Sequence, residues 1–228
     1  MIKETALLNI YSNSNIGLYL FTTEKITFCG IKLRKEQRET IERILKTKIV
    51  TLSVAGTPYP GLFLLELEDE ILAPSIIFDH EKKLLEKHSE KKVSTIETSE
   101  TALRNIVGLH GNKAVVSKIT EKTIKDYLIK KGIKLVEIEH SEFDNIGSLM
   151  VLGREKGLIA PVLEDKILLK LEKFLEIELI ETTVNNHGVF LSSGISHNSN
   201  GILIGEDSLT EEVMDITEGL SEEEADQN

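Results

Sequence analysis

One thiol, six imidazoles and two glycine-flanked turns hold most of the chemistry this chain could perform. Cys29 is the sole cysteine in 228 residues. A thiol becomes a nucleophile only as a thiolate, with a base or a positive field beside it. The run "KITFC" supplies neither and reads as the end of a strand, so Cys29 is expected to be a small, partly buried side chain. A lone cysteine also excludes an internal disulfide framework. His80, His88, His110, His140, His187 and His197 show no metal-ligand spacing, and no metal or cofactor is expected. "GREKG" (153–157) and "GLHGN" (108–112) lack the Gly-Lys-Ser/Thr ending of a phosphate loop. They read as turns, with Gly157 expected at a positive φ. Lys82, Lys83, Lys87, Lys91 and Lys92 cluster on a mixed-charge stretch that reads as a solvated helix edge.

Composition limits what these residues can serve. Formal net charge is -11, from 38 acidic and 27 basic residues. Phosphate backbones select clustered Lys and Arg, so a free-standing nucleic-acid binder is disfavoured. Hydrophobic residues make up 40% of the chain, enough for a sizeable core. No apolar run has membrane-spanning length, and "MIKETALLNIY" lacks a signal-peptide core. The expectation is a cytoplasmic protein with no membrane partner. Residues 1–220 read as one domain, and 221–228, ending in "SEEEADQN", as an acidic disordered tail.

The elements that would position any site come from a repeat. "NIGLYLFTTEKITFCG" begins at Asn15 and "NIGSLMVLGREKGLIAP" at Asn145. Further copies start near Gly61, Arg104 and Gly188. With Gly17 and Gly147, the five starts step by 44, 43, 43 and 41 residues. Each copy has a short apolar strand, a turn and a second strand, which predicts a hairpin. Next comes a helix with apolar residues three and four apart. Thr120 is expected to start the third of these, and Ser208 with Glu211 to form a capping box on the fifth. Four copies then carry a third strand, at 48–52, 92–96, 134–138 and 177–181. The fifth has none, whereas 4–10 is an unclaimed strand at the N-terminus. Pairing the two would close a ring and remove an exposed sheet edge.

A family resemblance rests on particular segments. "NIGLYLFTTEKIT", "TALRNIVGLHGNKAVVSK", "GSLMVLGREKGLIAP" and "GILIGEDSLTEEVMDITEGL" occur in this order over essentially residues 1–220. Together they resemble the archaeal and eukaryotic translation initiation factor 6 family. The resemblance implies the pentein fold, an α/β five-fold pseudosymmetric β/α propeller, here with its ring closed by the N-terminal strand. It implies a monomer, with neither enzymatic activity nor cofactor, that binds the large ribosomal subunit near ribosomal protein uL14 and nearby rRNA. There it would block joining of the small subunit, with a further role in large-subunit maturation. Three departures stand out. Arg104 replaces a glycine, Glu68-Asp69-Glu70 replaces a more basic turn, and Ser192–Asn200 reads as a longer hairpin connection. A diverged pentein scaffold with another protein partner is the alternative. A guanidino-modifying enzyme is a third reading, disfavoured because such penteins carry their cysteine in the last unit, where this chain has none.

Docking residues are expected on the loops that lead into each unit's first strand. They are Asn15, Thr57, Tyr59, Pro60, Arg104, Asn105 and Asn145. Asn105 keeps the family's asparagine in its motif; the others follow from position. Pro58 and Pro60 restrict the backbone around Tyr59 and would hold that ring ready as an interface anchor.

Overall fold

The computed structural model describes residues 3–221. Strand β1 (Glu4–Leu8) comes first. Unit one follows with α1 (Ile16–Tyr19), β2 (Leu20–Thr22), β3 (Ile26–Cys29), α2 (Lys35–Leu45) and β4 (Lys48–Thr51). Unit two repeats the order in α3 (Pro60–Phe63), β5 (Leu65–Glu66), β6 (Glu70–Pro74), α4 (Asp79–Ser89) and β7 (Lys92–Ile96). Unit three has α5 (Leu103–Ile106), β8 (Gly108–His110), β9 (Lys113–Ser117), α6 (Lys122–Lys130) and β10 (Lys134–Ile138). Unit four opens on a 3-10 turn (Ile146–Leu149) and continues with β11 (Met150–Leu152), β12 (Lys156–Ile159), α7 (Asp165–Leu175) and β13 (Glu178–Glu181). Unit five has α8 (Leu191–Gly194), β14 (Ile195–His197), β15 (Gly201–Gly205) and α9 (Thr210–Leu220).

Each unit is a three-stranded sheet. Its hairpin is antiparallel, and its third strand returns parallel to the second after the long helix. In unit five the third strand is β1, which pairs in parallel with β15 from Glu4↔Gly201 to Leu8↔Gly205. The second strands β3, β6, β9 and β15 are continuous apolar runs because sheet and helix cover them on both faces. The core lies in the seams between units. Phe21, Phe28 and Val54 pack with Phe63, Ile71 and Leu85, while Leu8 and Leu203 pack with Ile16, Ile41 and Ile44.

At the centre, each short helix touches the next, and α8 touches α1. Gly61 shows why glycine recurs there. A Cβ on it would lie 2.0 Å from the Gly17 carbonyl oxygen and 2.4 Å from that of Leu20. Neither atom can retreat, because both belong to the backbone of the neighbouring unit. A Gly61→Ala chain is expected to lose about 1–3 kcal/mol of stability through overpacking. Urea unfolding measures this, and an unchanged midpoint would mean the contact relaxes freely.

Several expectations shift in register. The fifth unit does not begin at Gly188, which bridges to Val184 in the preceding turn. Its counterpart of Gly17 is Ser192, the second residue of α8, because the turn before α8 is longer than its equivalents. Its hairpin is therefore not long: only Asn198–Asn200 join β14 to β15. Gly157 lies inside β12 rather than in a turn and lacks a positive φ, which falls instead to Gly111 at +54°. Thr120 does not start α6. That helix begins at Lys122, and the Thr120 hydroxyl is buried without a partner. On α9 the Leu209 N–H donates to Glu212 at 2.8 Å, so the carboxylate that caps it is Glu212 rather than Glu211. Glu70 is not a turn residue. It is 1% exposed at the start of β6, where it accepts from Ser94 (2.6 Å) and from Tyr127 (2.6 Å) and Lys131 (2.7 Å) of unit three. The acidic tail expected at 221–228 lies outside the described residues apart from Ser221, whose hydroxyl accepts from the Lys3 N–H at 3.1 Å.

Candidate functional site

Each unit's opening loop runs from its predecessor's third strand into its own short helix. The loops are shaped by left-handed turns, including Ala55 and Gly56 (φ 52° and 70°) and Asn186 and His187 (φ 63° and 70°). Such turns leave adjacent N–H groups pointing into one concavity, a natural seat for a negative charge. Here the chain fills it from within. Glu81, 1% exposed on α4, accepts from Ala55 N–H (2.7 Å), Gly56 N–H (3.0 Å), Phe78 N–H (3.0 Å) and the Ser53 hydroxyl (2.6 Å). Glu212 on α9 does the same for Asn186 (3.1 Å), His187 (2.8 Å) and the Thr183 hydroxyl. Burial by itself raises the pKa of these carboxyls, but the converging donors outweigh it and hold both below the usual glutamate range. Unit one uses a neutral version, with Gln37 accepting from Arg34 N–H (2.9 Å) and donating to the Asn9 carbonyl (2.8 Å). Unit four uses His140. Its Nδ1 accepts from Glu142 and Phe143 N–H (both 3.1 Å), so its Nε2–H donates to the Val162 carbonyl (2.9 Å).

These loops carry most of the sequence-predicted docking residues, in unequal condition. Asn145 is exposed. Asn15 stands at the equivalent position, directly before α1, but its side chain is engaged: Oδ1 accepts from Ser193 at 3.0 Å and from Asn185 at 3.3 Å, joining unit one to unit five. Thr57 turns its hydroxyl back to the Val54 carbonyl at 2.9 Å. Pro60 is buried, and Tyr59 is half-buried with its ring 5.2 Å from Tyr19, so it braces a seam between units. Asn105 lies inside α5, half-buried, and not at the corner that Asn15 and Asn145 share. Sequence reasoning singled out Tyr59 but missed the two exposed aromatic side chains on these loops. Tyr11 is 63% exposed and Phe190 46%. Both line a groove of about 540 Å³ with Asn15, Asn185 and Ser193, and the Phe143 ring meets Phe190 edge-on at 5.9 Å. Phe190 holds the corner position of Asn15, Tyr59 and Asn145. Numbering the fifth unit from Gly188 hid that signal.

Arg104 is elsewhere. It lines a central cavity of about 170 Å³, walled by the first strands of the hairpins, with Glu66, Thr22 and His197. Burial pushes the guanidinium down to about 10. Burial, reinforced by the charges of Lys3 and Arg104, pushes the His197 imidazole down to about 3. Cys29 is fully buried at the end of β3, and burial pushes its thiol up to about 11, the reverse of what a nucleophile needs. Of the lysine cluster, Lys91 is spent internally, on Glu66 (2.8 Å) and on the carbonyls of Leu67 and Glu68 (3.0 Å each). Among the described residues no three His, Cys, Asp or Glu side chains gather as a metal site. No helix there is long and apolar enough to cross a membrane.

Five like units around a shared centre define a pentein, and solved structures agree on the fold. One similar structure is a Pseudomonas aeruginosa dimethylarginine dimethylaminohydrolase mutant complexed with citrulline. It has a TM-score of 0.51 at 14% identity, over 75% of this chain and 69% of that one. Another is the N-terminal domain of ArgZ, a cyanobacterial arginine dihydrolase, with a TM-score of 0.55 at 13% identity, over 83% and 72%. Within that fold the chain belongs to the eIF-6 family, whose sequence model matches residues 5–219. Translation initiation factor 6 of Saccharolobus islandicus is 29% identical over 219 residues, spanning 94% of this chain and 98% of its own. That of Methanocaldococcus jannaschii is 28% identical over 211 residues, spanning 90% and 92%.

Proposed function

We propose that this chain binds the large ribosomal subunit and sterically prevents its association with the small subunit, acting as a monomer in the cytoplasm. The observation that carries this reading is the family match across nearly the whole chain, with relatives named as translation initiation factors over almost their full length. The opening-loop face is the proposed docking surface. Its backbone is preset by Glu81, Gln37, His140 and Glu212, so little ordering entropy opposes binding. It also presents Tyr11, Phe190 and Asn145. The net charge of -11 favours contact with a ribosomal protein, uL14 in this reading, with rRNA touched at the margin. The chain works as an obstacle and not as an enzyme: its one thiol is buried and poorly acidic, and no second cysteine exists to replace it.

Sedimentation tests the proposal. Incubated with separated subunits from its own organism, the protein is expected to comigrate with the large subunit and to reduce joining on addition of the small one. A Tyr11→Ala, Phe190→Ala double variant is expected to bind at least about tenfold more weakly while melting like the parent. Failure to comigrate with either subunit would rule the reading out.

A further inference from the structure

Arg104 occupies a position that is Gly17, Gly61 and Gly147 in three other units and Ser192 in the fifth. This chain therefore places one long cationic side chain at a position where the other units carry glycine or serine. Among the described residues, no carboxylate pairs with Arg104. The acid nearest in kind, Glu66, lines the same cavity but is neutralised by Lys91 at 2.8 Å. His197 lines the same cavity, and its buried Nδ1 has no hydrogen-bond partner. The rest of the wall is largely apolar, with Phe21, Leu64, Val107, Met150 and Val151. Arg104 is half-buried against this wall, and a cation there without a counter-charge gives up part of its hydration. In the same surroundings a charge-assisted hydrogen bond is strong.

We propose that the central cavity binds one small oxyanion, a phosphate or a short carboxylate, held by the Arg104 guanidinium and hydrogen-bonded by His197. The fork of guanidinium N–H donors matches the geometry of either anion. His197 stays neutral near pH 7, because burial keeps it so, and a neutral imidazole donates a ring N–H to the anion without adding a charge. The cavity volume of about 170 Å³ limits the ligand to a few heavy atoms. A larger groove of about 590 Å³ shares Thr22, Glu66, Leu152 and His197 with the cavity and gives it a mouth on the hairpin-turn side. The site lies at the opposite end of the hairpins from the opening loops proposed above for ribosome docking.

Isothermal titration of the full chain with sodium phosphate, and separately with sodium malonate, tests this, with sodium chloride at matched ionic strength as the baseline. Saturable one-site binding is expected with at least one of the two, and which one assigns the class. Arg104→Met is expected to weaken it roughly tenfold or more, as loss of a charged hydrogen-bond partner does. Arg104→Gly restores the residue of the other units and provides a second binding-deficient variant should the methionine disturb packing. In the parent, saturating anion is expected to shift the His197 imidazole resonance, identified by its loss in His197→Gln. No saturable binding of either anion overturns the proposal. So does binding of equal affinity in both Arg104 variants, or binding that leaves the His197 resonance in place.

Discussion

A chain lacking residues 1–10 will unfold at a much lower urea concentration than the full chain. Strand β1 is the third strand of the fifth sheet, and all five of its residues are in register with β15. Leu8 and Ile10 are buried, and full burial of such side chains is worth about 1.5–3 kcal/mol each. Further ties go with the strand: the Leu8 carbonyl accepts from Glu206 N–H at 3.0 Å, Thr5 meets Thr217 at 3.2 Å, and Glu4 pairs with Arg43. A loss of at least about 4 kcal/mol is expected, which is much of the stability of an ordinary domain. The truncation also strips cover from β15, an apolar "GILIG" strand, and an uncovered edge of that kind pairs with other chains. Size-exclusion chromatography should then show more association than for the full chain. An unaltered urea midpoint would sink the claim that the N-terminal strand completes the architecture.

Replacing Glu212 by alanine has the second-largest expected effect. Four donors converge on that carboxylate: Thr183 Oγ1 and the N–H groups of Asn186, His187 and Leu209. Removing it takes the shared acceptor from those donors, leaves a gap where the buried Glu212 side chain stood, and frees a left-handed turn from the group that favours it. About 3 kcal/mol of lost stability is expected. Hydrogen exchange should rise at 183–190, beside Phe190, before it rises in β15. The conservative Glu212→Gln variant isolates the charge. Because the folded carboxyls of Glu81 and Glu212 titrate below the unfolded value, their contribution is fully present above the unfolded glutamate range. It is lost as pH falls below about 4.5 and through the lower folded values. The parent's stability should therefore drop with acid across that window, and the drop should be shallower in Glu212→Gln. Equal slopes would mean that these carboxylates do not carry the acid sensitivity.

Both experiments act on contacts that join distant stretches of chain, and there sequence reading and structure part company. The repeat itself was legible. Apolar alternation, turn residues and three-and-four helical spacing are local properties, and they marked the second strand of each hairpin, the long helices and the orphan strand 4–10 within a residue or two, but they read the short helix that opens each unit as the start of a strand and misplaced the first strand of unit five. They also carried the family, because motif order survives where individual letters change. Local pattern failed where the deciding contact came from another unit. Glu70 looked like part of an acidic turn until Tyr127 and Lys131 of unit three met it. Ser208 and Glu211 matched a capping pattern, yet the Ser208 hydroxyl accepts from Asn185 N–H and Glu212 holds the turn. Sequence position puts Arg104 on the loop that leads into its unit's first strand, at a site where other units have glycine. Only the ring geometry turns that position inward, into the cavity it shares with His197 and away from the opening loops. The sequence by itself determined that five units exist and what each is made of. Tertiary structure decided which side chains face one another across the seams and the centre, because those neighbours lie far apart along the chain, as the Thr22–Ser196 hydrogen bond of 2.8 Å does across 174 positions, where no short-range periodicity reaches.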